Sequence, residues 1–219
     1  DAPTAVDTPF ITARRPGDLP IVMTTLFRLL EISVAHRKLP LTNHLHHHDW
    51  WALAESWGGS SRLDLVKALN TALVGERYTL EEMKQYCYKA KDAELVSLLT
   101  EIVETKQKHV QQLKKRLHHG FGEAVTWQAL GGEILATLQS WLQSSDDSAI
   151  IRKTLGDLQT GIVDAYRLCN QLSDPVTAEI LETIALDLSR YEQRLASLYR
   201  NQALALARPP LPTTVSIMH

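Results

Sequence analysis

The chain is poor in cysteine, with two in 219 residues, Cys87 and Cys169. They lie in separate helical stretches without CxxC spacing. This excludes a disulfide framework or a thiolate zinc cluster, and predicts two reduced, buried thiols of a cytoplasmic protein. No apolar run approaches the ~20 residues that cross a bilayer, and no basic-then-apolar segment opens the chain, so no membrane partner is expected. Neither charge is in excess: 23 Lys and Arg stand against 25 Asp and Glu. That balance lacks the basic footprint of a nucleic-acid binder. Where charges cluster, as at Glu101, Glu104, Lys108, Lys114 and Lys115, both signs mingle as on a solvated helix face.

What is present is 44% hydrophobic residues, arranged in helical stripes. The first stripe, over 62–91, carries Leu65, Leu69, Ala72, Glu76, Leu80, Met83 and Cys87. The second, over 93–118, carries Leu95, Leu99, Ile102, Lys106, His109, Leu113 and Leu117. A third runs over 149–172 through Ile151, Leu155, Leu158, Ile162 and Cys169. A fourth, over 175–207, holds Leu181, Ile184, Leu188, Tyr191, Leu195 and Leu198, with Asp174 as cap and Pro175 in its first turn. Spacings of three and four are the seam of helices packed at shallow angles. Tight turns near Lys91-Asp92 and Ser173 make two hairpins. About 30 residues lie between them, with Gly120, Gly122, Gly131 and Gly132 and a further helical piece near 133–142 that bears Trp141. The prediction is an all-α four-helix bundle over 62–207. Periodicity leaves open a ferritin-like crossover or an up-down bundle with an inserted helix.

The ends read differently. Residues 5–12 predict a strand, and Asp18 a cap for a helix from Leu19. Residues 34–61 form a His- and Trp-rich linker. In it, His44, His46, His47 and His48 are weak zinc or nickel ligands, lacking enforced geometry. A short helix is expected over 49–57, with Asp49 as cap and Trp50, Trp51 and Trp57 pressed toward the bundle. Exposed tryptophans there would suit a dimer interface. The tail 208–219 holds three prolines and is expected to be disordered.

Four residues stand out because they occupy stripe positions that should be apolar: Glu76, Lys106, His109 and Tyr191. A core accepts such groups only when they partner one another, a metal or a ligand.

Two resemblances follow from motifs. The stretch VDTPFITARRPGDLPIVMTTLFRLL, through Thr12, Arg14 or Arg15, Pro16, Asp18, Leu19 and Pro20, resembles the C-terminal strand–turn–helix of PfpI/ThiJ proteins. It implies that residues 1–33 close an α/β domain whose catalytic cysteine elbow lies upstream. The opening residue, Asp1 rather than Met, fits the same expectation of a longer, two-domain protein. Further on, Leu69-Asn70-x-x-Leu73-x-x-Glu76 and His109-x-x-x-Leu113-x-x-Arg116 are similar to the bacterioferritin helices "LNxxLxxE" and "ExxHAxxLxxR". That resemblance implies a ferritin-like fold with Glu76 and His109 as iron ligands. The other ligand positions depart from it: Lys106 stands for a bridging glutamate, Leu188 and Tyr191 for a Glu-x-x-His pair, and a residue near Ile162 for the third-helix glutamate. A lysine opposes a dication.

The expectation is therefore a non-catalytic ferritin-like module, structural or oligomerising, fused to a PfpI-like domain. Its buried Glu76–Lys106–His109–Tyr191 network replaces the irons, and no cofactor is expected. Two alternatives are a ferritin-style oxidoreductase with iron or zinc and a bundle that binds a small ligand, which the tryptophans, with Trp127 and Trp141 among them, would permit.

Overall fold

The computed structural model describes residues 4–32, 50–123 and 146–202. Four long helices dominate it: α3 (Arg62–Lys89), α4 (Ala93–Phe121), α5 (Asp147–Gln171) and α6 (Pro175–Gln202). Each begins where a short polar side chain satisfies a first-turn amide. Ser61 and Asp64 form a capping box on α3. Asp92 accepts from the Leu95 amide at 2.8 Å, Asp146 from Ala149 at 2.7 Å and Asp174 from Thr177 at 2.9 Å. The α5 start thus falls earlier than the stripe alone predicts, because Asp146 supplies the cap. Helix α4 also outruns its expected end. It stops only at Gly122, whose φ of 66° is the left-handed conformation that favours glycine.

The apolar stripes close one core. Leu65, Leu69, Met83, Leu95, Leu99, Ile102, Leu113, Leu117, Ile151 and Leu195 are fully buried, and burial of each contributes about 1.5–3 kcal/mol. Helices α3 and α4 form one hairpin, α5 and α6 the other; α3 lies beside α5, and α4 beside α6. Contacts across these seams run in opposite senses. From α4 to α6, Arg116 meets Thr177, His109 meets Asp187, and Glu101 meets Arg194. Between α3 and α5, Glu82 faces Lys153, while Ala68 lies near Leu172. Adjacent helices are therefore antiparallel, and α4 and α5, consecutive in the chain, run parallel. A short loop cannot make that connection. This is the ferritin-like crossover, and it excludes the up-down alternative. The connecting residues, the helical piece expected near 133–142 and Trp127 and Trp141 lie outside the described residues, as does the tail.

The amino-terminal end departs from its reading. Residues 5–12 are not one strand: β1 (Thr4–Asp7) and β2 (Phe10–Ala13) form an antiparallel hairpin, with Asp7 paired to Phe10 across Thr8-Pro9. Pro9 has no amide hydrogen and breaks the run. Asp18 does not cap α1 (Leu19–Leu29) with its side chain. It sits in a 3-10 turn over Pro16–Asp18, and its buried carboxylate accepts from Arg14 at 3.2 Å. That turn presses on α6: a Cβ on Gly17 would lie 2.6 Å from the Ala178 Cβ, so only glycine fits there.

Helix α2 (Trp50–Ser56) carries the tryptophans inward. Trp50 is buried, the Trp51 ring lies 5.6 Å from Phe121, and Trp57 meets Phe27 edge-on at 5.5 Å. They tie α1 and the end of α4 together rather than offering an exposed face. Both cysteines are free. Cys169 is buried, whereas Cys87 is only partly so; burial raises the pKa of each thiol.

Candidate functional site

Lys106 and His109 sit one turn apart on α4 and face Glu76 of α3. Lys106 Nζ donates to Glu76 Oε1 at 2.9 Å, and His109 Nδ1 lies 2.9 Å from Glu76 Oε2. All three side chains are at most 8% exposed. On its other side, His109 Nε2 lies 3.1 Å from Asp187 Oδ2 of α6, and Arg190 donates to the second Asp187 oxygen. The ring thus bridges a carboxylate of α3 and one of α6. Burial by itself would raise the Glu76 pKa, but the Lys106 charge and the His109 contacts prevail and pull it down to about 2.

Three of the four core polar residues thus meet. Tyr191 stands apart: its hydroxyl lies 2.8 Å from Thr105 Oγ1 and donates to the Glu101 carbonyl at 3.4 Å. Asp187, one turn earlier on α6, occupies the place expected for it. The available signal was the Asp187-x-x-Arg190 spacing at the edge of the α6 stripe.

The motif arginine has a structural role. Arg116 is buried, donating to Asp174 at 2.7 Å and to Thr177 at 3.2 Å. It braces the α6 cap against α4.

A second buried cluster lies between α3 and α5, and no stripe pointed to it. Lys153 donates to Asp157 and stands 3.7 Å from Glu82 Oε1, to which Tyr78 donates at 3.3 Å. Glu82 Oε2 has no hydrogen-bond partner. Burial and the Asp157 charge raise the Glu82 pKa to about 7 against the opposing pull of Lys153 and Tyr78. Burial and Glu82 also drive the Tyr78 and Tyr86 phenols above their ordinary range. Its sequence signature was two i,i+4 pairs, Tyr78–Glu82 and Lys153–Asp157, each flanking an apolar stripe. Between the two clusters is a cavity of about 60 Å³ that reaches Glu76, Lys106, Tyr78 and Asp157.

The donor set does not fit a two-iron centre. An ammonium group holds Glu76, and both His109 nitrogens are committed to carboxylates. In the other hairpin, Leu188 packs against Gly161 so closely that a Cβ there would stand 2.9 Å from Leu188 Cδ1. Among the described residues, no three His, Cys, Asp or Glu side chains are placed to hold a metal ion. His44, His46, His47 and His48 lie outside the described residues.

No family model and no curated protein matches the chain. Among solved structures it is similar to a two-domain protein from Anabaena variabilis containing DJ-1/ThiJ/PfpI-like and ferritin-like domains. The two share 41% identity with a TM-score of 0.87; the match covers 98% of this chain and 60% of that one. The chain thus spans about three fifths of that protein's length. With this similarity and the crossover topology, the four-helix body is a ferritin-like domain.

Proposed function

We propose that this bundle is a non-catalytic structural and interaction module that carries an α/β domain of the DJ-1/ThiJ/PfpI type. The observation that supports it most is the Lys106–Glu76 contact at 2.9 Å. It puts a fixed positive charge where a ferritin-like iron site needs a bridging carboxylate. A closed chain of donors and acceptors, Lys106–Glu76–His109–Asp187, replaces metal–ligand bonds as the link between α3, α4 and α6. The apolar face of the amino-terminal segment supports the fusion partner. Phe10 is 69% exposed and Leu30 57%, and Val6, Leu29 and Ile32 are exposed as well. A two-stranded hairpin with that face uncovered is marginal by itself, and the Anabaena protein contains a DJ-1/ThiJ/PfpI-like domain beside its ferritin-like one. The reading extends to a cytoplasmic dimer without nucleic-acid or membrane partners. No helix among the described residues is long and apolar enough to cross a membrane.

Metal content tests the proposal. Protein purified without a histidine tag is expected to carry substoichiometric iron and zinc by elemental analysis. About two irons per chain would overturn the module reading in favour of a ferritin-style oxidoreductase. Light scattering checks the dimer.

A further inference from the structure

The cavity between α3 and α5 is small, partly open and unevenly charged. By the measure in which one water needs roughly 10–15 Å³, its 60 Å³ holds about four to six water-sized groups. Ala72, Ala165 and Leu168 supply apolar wall, and Thr71, Tyr78 and Thr160 supply hydroxyl groups. Four charged side chains reach it: Glu76, Lys106, Asp157 and Asp164. Glu76 and Lys106 neutralise one another, and Asp157 is held by Lys153. Asp164 differs, for no side-chain hydrogen bond or ion pair joins it among the described residues. Burial raises its pKa in spite of the nearby Arg167 charge. The lining therefore has three carboxylates and one ammonium, which disfavours an anion. The Lys106 charge and the lack of a convergent donor set disfavour a divalent metal. Thr71 and Leu168 also line an open groove between the amino-terminal segment and the bundle, which therefore adjoins the cavity.

We infer that this cavity is a binding site for a short-chain organic ammonium ion, its charge paired with Asp164 and its carbon chain against Ala72, Ala165 and Leu168. The inference goes beyond the module reading and is tested separately from it, because the titration reads Asp164, which is no part of the candidate metal set.

The experiment is a calorimetric and NMR titration of the whole chain with propylammonium, 1-propanol and propionate at constant ionic strength. Propylammonium is expected to bind saturably with a dissociation constant of about millimolar, the scale set by so few atoms. Propanol and propionate are expected to bind at least about tenfold more weakly. Asp164→Asn should cost a similar factor and Asp164→Glu should retain binding. Ala72→Leu, which fills the cavity, should abolish binding while the circular-dichroism spectrum stays native. Equal binding of propanol, or unchanged affinity in Asp164→Asn, would overturn the assignment. The Asp164 variants keep the test decisive should Ala72→Leu not fold.

Discussion

Lys106 and Lys153 are both buried beside carboxylates of α3, yet their surroundings differ in balance. Lys106 belongs to a set in which Glu76 and Asp187 are matched by the ammonium and by a His109 ring with both nitrogens engaged. Lys153 stands between two acids, Glu82 and Asp157. The first set keeps its glutamate ionised down to about pH 2; the second pushes its glutamate up to about 7. The two glutamates lie six positions apart on one helix, so helix propensity does not separate them. What separates them is what the neighbouring helices bring: Lys106 and His109 to Glu76, but a second carboxylate, Asp157, along with Lys153 to Glu82. Desolvation costs both clusters, and only the balanced one recovers that cost through paired charge and hydrogen bonds.

The strongest way to break the comparison is to unbalance the first set. Lys106→Ala leaves Glu76 buried without its ammonium and is expected to cost roughly 3–5 kcal/mol in urea melts. The double change Glu76→Leu with Lys106→Met should cost less, because no lone charge remains. The reverse order would remove the network as a structural element.

The second cluster has the opposite pH signature. Because the folded pKa of Glu82 lies above its ordinary 4.5, the native state binds more protons between pH 4.5 and about 7. Stability from this group is complete below that window and falls as pH rises through it. Glu76 behaves in the inverse way: its contribution is present above 4.5 and is lost as pH falls toward about 2. Glu82→Gln is therefore expected to flatten the decline between pH 5 and 8, stabilising the protein at pH 8 by on the order of 1–2 kcal/mol. Denaturant midpoints across that range would check it. An unchanged slope would show that Glu82 is no more strained than Glu76.

Smaller effects sharpen the boundary of the first set. Tyr191→Phe loses its bonds to Thr105 and the Glu101 carbonyl and should cost about 0.5–1.5 kcal/mol. The His109 imidazole NMR shifts should stay unmoved, because Tyr191 touches no member of the set. A moved His109 signal would return the tyrosine to it. Least of all, Arg194→Ala removes a fork onto Glu101 at 2.6 and 3.0 Å. Both partners are about half exposed, so thermal melts should register the smallest loss of the series.

Much of this arrangement was legible in the chain because it repeats at the helical period. The stripes through Leu65, Leu99, Leu158 and Leu188 follow from burial of one face per helix. Glu76, Lys106 and His109 stood out because they interrupt those stripes. Asp174 and Pro175 mark a helix start by local chemistry. Asp187, Glu82 and Lys153 were not legible, since each lies beside a stripe rather than in it. Whether a flanking side chain turns inward depends on the rotation of its helix against the neighbour. Asp18 likewise looked like a cap until the 3-10 turn brought it to Arg14.

By itself, then, the sequence determined where the helices begin, which face each one buries and that charged groups enter the core. Those properties are set within one helix by a period of 3.6 residues and by local amides that need acceptors. Only the tertiary structure decided the partners: His109 with Asp187 instead of Tyr191, Lys153 with two acids instead of one, and α4 running parallel to α5. Those depend on the crossing, rotation and direction of separate helices. These come from packing all the stripes at once, which no single stretch of sequence encodes.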